Sequence, residues 1–295
     1  MDLIKPKCVI CLGMFDGVHA GHQALLSRAR TLADTGEKVI AFTFSNHPAE
    51  LFTGTCRYLN TLEQRISLLK ENGADEVWTV PFTEQFAALS PESFLRMLLN
   101  EKPVKALVAG FNYTFGKKGS GTVDTLRAFG KALGYHPEIV EPVLFQGEPV
   151  SSTRIRNSLL AGEADKAAKM LTRPYILTGT VISNQQIGRS IGFPTANLDT
   201  GKLLLPMDGV YASEAVLADG SVFPSVTNIG TNPTVSGKKR TVETHLIGFS
   251  GDLYSQTADI RLLHYLRGEV AFPDTKALSE QIARDVEAAL KLHES

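Results

Sequence analysis

The sequence lacks the features that would place the protein in an oxidising compartment, in a membrane or on nucleic acid. Three cysteines in 295 residues, an odd number, cannot form a full disulfide framework and suit a reducing compartment. Cys8 and Cys11 form a lone C-x-x-C inside an apolar run that reads as a strand. An odd spacing there sends the two side chains to opposite faces, and no second pair exists to complete a metal or redox site. Long hydrophobic runs are also missing. The stretch Cys8 to Phe15, behind Lys5 and Lys7, is far too short to span a bilayer. It is followed by Asp16 and offers no small-residue cleavage site, so it fails as a signal peptide. Net charge is nearly absent: 30 basic and 31 acidic side chains leave a formal −1, without the electrostatic footprint of a protein that wraps nucleic acid. These absences predict a cytoplasmic protein with no membrane or nucleic-acid partner, in which any anion is met by local groups.

Two common phosphate devices are absent as well. No G-x-G-x-x-G follows the first strand, and Gly110–Lys117 has one residue too many, and no Ser or Thr after the lysine, for a P-loop. Hydride-transfer and P-loop chemistry are thereby set aside. There is no internal repeat or low-complexity segment.

What is present is ordinary globular composition, 43% hydrophobic and 21% charged, in a chain long enough for two cores. In the first half short apolar runs alternate with helical patterns. The runs are Lys7–Gly13, Lys38–Phe44, Glu76–Val80 and Val104–Ala109; the helices are Gln23–Asp34, Leu62–Asn72, Glu92–Asn100 and Val123–Leu133. Strict alternation implies a parallel sheet with helices on both faces, whose ligands bind at the carboxyl ends of the strands. Two more helices, Arg154–Ala161 and Glu163–Leu171, lead to Thr172-Arg173-Pro174, where the texture changes. The domain boundary is placed there, giving 1–172 and 173–295. Beyond it, Ile176–Ile182, Val210–Leu217, Val222–Val226, Val242–Phe249 and Asp259–Leu266 read as closely spaced strands of a small antiparallel barrel. A final helix should pack Leu278, Ile282, Val286 and Leu290 against that barrel as one stripe.

The first concentration of chemistry is Gly13-Met14-Phe15-Asp16-Gly17-Val18-His19-Ala20-Gly21-His22, which closes the first strand and opens the first helix. Backbone N–H groups and the positive end of the helix dipole face outward there, which suits a phosphate at Gly13, Phe15, Asp16 and Gly17. Gly21 permits close backbone approach, and the imidazoles of His19 and His22 are placed to donate to oxygens of a transferring phosphate as charge builds. The plainer reading is one capping and one packed histidine. The second concentration is Gly188-Arg189-Ser190-Ile191-Gly192-Phe193-Pro194-Thr195-Ala196-Asn197. Its glycines allow tight backbone around phosphates, at Gly188, Arg189, Gly192 and Pro194. The hydroxyl of Thr195 and the amide oxygen of Asn197, two residues apart, are hard ligands that suit Mg²⁺.

The first segment resembles the adenylyltransferase signature of the prokaryotic bifunctional riboflavin kinase/FMN adenylyltransferase (FAD synthetase) family. Further matches follow in order: Thr43-Phe44-Ser45-Asn46-His47-Pro48, Gly110-Phe111-Asn112-Tyr113-Thr114-Phe115-Gly116 and Ser151-Ser152-Thr153-Arg154-Ile155-Arg156. The second half is similar to the riboflavin kinase part of the same family. Beside Pro194–Asn197 it carries Gly209-Val210-Tyr211-Ala212, Thr227-Asn228-Ile229-Gly230, Pro233-Thr234 and Thr241-Val242-Glu243-Thr244-His245. The resemblance implies a Rossmann-like α/β nucleotidyltransferase domain and a β-barrel kinase domain, with ATP, Mg²⁺, riboflavin, FMN and FAD as ligands. It places ATP over His19 and His22, with Ser152, Thr153 and Arg156 on its phosphates and Asn46 and Asn112 around flavin and nucleotide. Glu243 becomes the general base on the ribityl hydroxyl. Phe111, Tyr113 and Phe115 serve either as flavin walls or as core. Lys117 and Lys118 form a cationic loop that either closes on phosphates or is simply solvated.

The chain departs from the family where a glycine and a basic residue commonly precede the Gly-Arg pair; it reads Ser183-Asn184-Gln185-Gln186-Ile187 instead. That departure raises an alternative, a working adenylyltransferase whose barrel is reduced to flavin binding. A flavin-responsive regulator is the reading from another class, and it would leave His19, His22 and Glu243 without a task.

Overall fold

Five consecutive apolar residues, Cys8–Leu12, make a strand (β1) buried on both faces, which is the mark of the centre of a parallel sheet. In the computed structural model, which describes residues 7–183, 192–234 and 237–293, that is where β1 lies. It pairs in parallel with β2 (Lys38–Phe44) on one side and β4 (Val104–Gly110) on the other. β3 (Glu76–Val80) and β5 (His136–Val140) complete the order β3-β2-β1-β4-β5. Side-chain alternation splits the core into two layers. Val9 and Cys11 pack with Leu25, Leu26 and Ala29 of α1 (Ala20–Leu32) and Leu69 of α3 (Leu62–Glu71). Cys8, Ile10 and Leu12 pack with Phe94, Leu95 and Leu98 of α5 (Pro91–Glu101) and Leu126 of α6 (Val123–Leu133). The two cysteines thus face opposite ways, as their odd spacing requires.

The chain runs outward from β1 through β2 to β3, then returns to β4 on the other side of β1. The order therefore reverses beside β1, and the crevice outside its carboxyl end is where doubly wound sheets bind ligands. The other loops at this edge carry short elements, α2 (Pro48–Thr53) and α4 (Glu84–Ala87), a 3₁₀ turn at Lys117–Gly119, and a small hairpin of β6 (Leu144–Phe145) and β7 (Glu148–Pro149). Contacts group Met1–Arg57 with Thr61–Ser152, and Tyr58–Asn60 with Thr153–Ser295.

The second unit contains α7 (Ser152–Leu160) from its second residue, α8 (Ala164–Leu171) and a closed barrel. The barrel strands are β8 (Tyr175–Ile182), β9 (Ala196–Asp199), β10 (Gly209–Leu217), β11 (Val222–Thr234), β12 (Gly237–Leu246) and β13 (Thr257–Arg267), joined in the order β10-β11-β12-β9-β8-β13. Part of its interior is polar. Ser225, Ser213, Thr227 and Thr244 are fully buried and bonded in series at 2.8, 2.7 and 3.0 Å, so no hydroxyl of the row is left without a partner. Tyr58 forms a parallel bridge with Leu203 in the loop before β10.

The last helix, α9 (Thr275–His293), covers Val210, Ala212 and Val226 on the outer face of β10 and β11. Its stripe differs from the expected one. Leu290 is 36% exposed, whereas Asp285 and Ala289 are buried beside Val286 and Leu292. Steps of four residues advance about 400°, so a strict i+4 row drifts off the packed face within three steps. Asp285 is held there by Arg267, whose Nε and Nη2 donate to it at 3.0 and 2.7 Å.

Candidate functional sites

Between β1 and α1 the chain turns within seven residues, Gly13 to His19, using left-handed backbone at Phe15 (φ 54°), Gly17 (φ 87°) and Val18 (φ 39°). That conformation is routine for glycine and strained for a bulky or β-branched residue, so it persists only where the surroundings enforce it. Here they do. Phe15 and Val18 are fully buried, Thr43 Oγ1 and Arg65 Nη1 both donate to the Met14 carbonyl at 2.9 and 3.0 Å, and the Ser152 hydroxyl donates to the Asp16 carbonyl at 2.8 Å. Asp16 itself is buried, and a Cβ on Gly13 would stand 3.1 Å from the Phe15 ring.

His19 is the N-cap of α1. Its Nδ1 accepts the His22 N–H at 3.4 Å, which leaves Nε2 to carry the proton of the neutral ring. The His22 imidazole lies flat on that of His19, centroids 3.6 Å apart and tilted by 16°, with the Phe15 ring edge-on at 5.1 Å. The stack sits on the first turn of a helix, at the switch point of the sheet, where the dipole and N–H groups favour an anion. The arrangement is equipped to stabilise charge on a phosphoryl group at the strand edge.

The other residues expected around this site have mixed settings. Asn46 is closed on the Phe82 backbone: its amide nitrogen donates to the Phe82 carbonyl at 3.1 Å and its oxygen accepts the Phe82 N–H at 2.7 Å. That pairing makes it a bracket between the loops after β2 and β3. Asn112 is exposed, in a turn where Tyr113 N–H meets the Gly110 carbonyl at 3.0 Å. Phe115 is core, Tyr113 stacks on it at 5.7 Å with its phenol pushed up by burial, and Phe111 is 40% exposed. Lys117 and Lys118 are exposed, on a turn whose backbone is tied to the Leu89 carbonyl at 2.7 Å. On α7, Thr153 is exposed and Arg156 half-buried, and the i, i+4 spacing sets Arg156 on the same helix face as Ser152.

The second site is built by strand register. Glu243 on β12 is paired with Asn197 on β9 and, on its other side, with Asn228 on β11. Residues directly opposite share a face, with Cβ atoms about 5 Å apart. One carboxylate and two amides therefore stand in a row on the outer face of the barrel, because Val242, Thr244 and Leu246 take the buried positions between. Thr195 and Asn197 border a cavity of about 600 Å³, walled by Val181, Leu246, Phe249 and Leu253, with Asp252 and Tyr254 also at its lining. His245 Nδ1 donates to the Pro194 carbonyl at 2.8 Å, and its ring meets Phe193 edge-on at 5.4 Å, so Pro194–Asn197 is fixed from the neighbouring strand. Gly192, exposed and left-handed (φ 87°), begins the described part of this segment. Gly188, Arg189 and the altered stretch from Asn184 to Ile187 lie outside the described residues.

The FAD synthetase family model matches residues 2–154 and the riboflavin kinase family model matches residues 171–293. A bifunctional riboflavin kinase/FMN adenylyltransferase of Haemophilus influenzae is 35% identical over 290 residues, covering 97% of this chain and 94% of that protein. The chain belongs to the bifunctional riboflavin kinase/FMN adenylyltransferase family. The family relative from Pseudomonas fluorescens is 36% identical, covering 98% of this chain and 95% of the relative. A solved structure described as a macrolide-efflux protein from Streptococcus pneumoniae is 30% identical, covers 96% of this chain and 94% of its own, and superposes with a TM-score of 0.88. Among the described residues of this family member, no helix is long and apolar enough to cross a membrane.

Arg65 of this family member lies outside all of the sequence motifs. It is 1% exposed and, with Leu69, makes the buried face of α3; its guanidinium also donates to the Phe44 carbonyl at 2.8 Å. The signal was present, since Arg65 lies three or four residues from Leu62, Leu68 and Leu69 on an otherwise apolar stripe. Arg240 lies outside those motifs too. Its Nε donates to Asp208 at 2.7 Å and its Nη1 to the Leu205 carbonyl at 3.1 Å, which pins the loop ahead of β10.

Proposed function

We propose that this chain makes flavin cofactors in two steps, phosphorylating riboflavin to FMN in its second domain (173–295) and adenylylating FMN to FAD in its first (1–172), with ATP as donor in both. The matches of the two family models, to 171–293 and 2–154, support these bounds. One observation supports the reading: His19 stacks on His22 within the first unit, and Glu243 stands opposite Asn197 within the second.

In the first domain the FMN phosphate oxygen attacks the α-phosphorus of ATP, the bond to the β-phosphate oxygen breaks, and pyrophosphate leaves. His19 and His22 stabilise charge on the transferring group, and the N-terminus of α1 adds its dipole. The loop Gly13, Phe15, Asp16 and Gly17 cradles the nucleotide. Ser152 clasps that loop, while Thr153 and Arg156, next on the same helix, bind phosphate oxygens. Asn46 and Asn112 flank the flavin and nucleotide, Asn46 through the loop it brackets.

In the second domain Glu243 takes the proton of the ribityl terminal hydroxyl as that oxygen attacks the γ-phosphorus of ATP, releasing ADP. Phosphoryl transfer depends mostly on position and charge neutralisation, which suits a base fixed by strand register. Gly188, Arg189, Gly192 and Pro194 hold ATP phosphates, and the neighbouring cavity takes the rest of the nucleotide. Thr195 and Asn197 are hard oxygen donors beside that cavity and fit Mg²⁺, which when bound neutralises and orients the phosphates. Two buried cysteines on opposite sheet faces fit a reducing, cytoplasmic setting.

Two variants test the assignment. His22→Ala abolishes FAD formation and spares FMN formation from riboflavin; Glu243→Ala abolishes FMN formation and spares FAD formation from supplied FMN. A folded variant that loses both activities equally would overturn the separation of sites. A Glu243→Ala protein that still forms FMN would favour another base.

A further inference from the structure

The segment that carries Thr195 and Asn197 is held only in part by the sheet. β9 starts at Ala196, and its ladder with β12 sets Ala196 on Thr244, Asn197 on Glu243 and Leu198 on Val242. Toward the N-terminus the ladder stops at Ala196, close to Pro194, which has no N–H to give and fixes its own φ. Thr195 therefore stands just past the last pair. The tie on its other side comes from a side chain, since His245 Nδ1 meets the Pro194 carbonyl at 2.8 Å. A carbonyl only accepts, so Nδ1 carries the proton. His245 follows the last paired residue of β12 and, by alternation, shares the outer face with Glu243 two residues before it. One strand carries both the base and the clasp.

We infer that His245 is a positioning residue for phosphoryl transfer to riboflavin: through the Pro194 carbonyl it holds Thr195 beside Asn197 for the metal ion of Mg-ATP. The inference rests on the kinase reading of the second domain, with Thr195 and Asn197 as the Mg²⁺ ligands. Groups that orient metal ligands from behind commonly change metal affinity tenfold or more, and a single hydrogen bond is worth up to about tenfold. A ring kept only for its edge-on contact with Phe193 would be replaced well by phenylalanine. A clasp needs the donor.

The test compares His245→Phe with His245→Asn in the full chain. The first keeps a ring against Phe193 and removes the donor, whereas the second keeps an N–H at the position of Nδ1. His245 is half-buried on the outer face, so neither change opens the core. Hydrogen exchange of the ligand-free protein, followed by mass spectrometry, probes the clasp without catalysis: in His245→Phe, exchange at 195–197 is expected to quicken about five- to tenfold. Unchanged exchange in β10 and β13 shows that the barrel itself is folded. In FMN formation at fixed free Mg²⁺, the KM for Mg-ATP is expected to rise about five- to tenfold while the KM for riboflavin holds. His245→Asn is expected to stay within about twofold of wild type in both measurements. A wild-type KM for Mg-ATP in His245→Phe overturns the inference, as does an equal rise in both KM values, faster exchange that spreads to β10 and β13, or a His245→Asn protein no better than His245→Phe. If His245→Phe fails to fold, His245→Asn decides alone: a KM for Mg-ATP within about twofold of wild type supports the inference, and a rise of about fivefold or more overturns it. Wild-type protein that forms no FMN from riboflavin would instead sink the kinase reading itself, while the exchange result still reports on the clasp.

Discussion

Gly21→Ala separates stability from catalysis in a way that the geometry of the histidine stack dictates. The residue lies in the first turn of α1 without a left-handed φ, so alanine fits the backbone. Replacing a helical glycine by alanine stabilises by about 0.5–1 kcal/mol, and somewhat less this close to the helix start. The new Cβ, however, stands 3.2 Å from His19 Cε1 and 3.3 Å from its Nδ1. The imidazole must yield by a few tenths of an ångström, and it already lies 3.6 Å from the His22 ring, centroid to centroid. If a misplacement of about 1 Å costs about 100-fold, a shift of roughly 0.3 Å costs about fourfold. The strain removes roughly the propensity gain, which leaves net stability within about 0.5 kcal/mol of wild type. Steady-state FAD formation from FMN, FMN formation from riboflavin, and urea unfolding measure the three quantities. A fourfold loss in the first, with the other two unchanged, is expected. Undiminished FAD formation would refute the claim that the stack is catalytic, and a large fall in stability would refute the claim that the His19 ring yields to the new Cβ at small cost.

Two other predictions concern packing. Asp285→Ala removes one side of a largely buried ion pair whose arginine side chain is 22% exposed, so the barrel should lose about 3 kcal/mol, at the low end for such pairs, in urea unfolding followed through riboflavin kinase activity. A loss under about 0.5 kcal/mol would mean that α9 is held by its apolar stripe alone. Burial raises the Cys8 thiol to about 11 and pushes Cys11 up as well, so at pH 8 both remain protonated and shielded. Intact-mass analysis after alkylation of the native protein should therefore show one adduct, on the half-buried Cys56; rapid addition of a second or third would contradict the core placement of β1.

The parts of the fold that local pattern controls were legible in the sequence. β2, β3 and α6 fall on their expected bounds because period-2 or continuous apolar runs end in clear helix and turn signals. Less legible were segments whose structure depends on a partner. β9 has only four residues inside a stretch that reads as loop, and it exists because β8 and β12 pair with it. β11 was expected to stop at Val226, yet it continues to Thr234 through Asn228, Gly230 and Pro233, turn formers held extended by ten successive pairs with β12. The same distinction holds for the sites. His19 and His22 stand together because three residues make about one helical turn. The register of Asn197, Glu243 and Asn228, the bracket that Asn46 forms on Phe82, and the reach of Arg65 to Met14 are tertiary facts with no local spacing to announce them.

The most direct test of the account is a chromatographic product assay of the purified chain with riboflavin, ATP and Mg²⁺, beside a reaction started from FMN. The account predicts FMN and then FAD from riboflavin, and FAD from FMN. FAD from FMN without any FMN from riboflavin would contradict the kinase assignment of the barrel, and no product in either reaction would contradict the account as a whole.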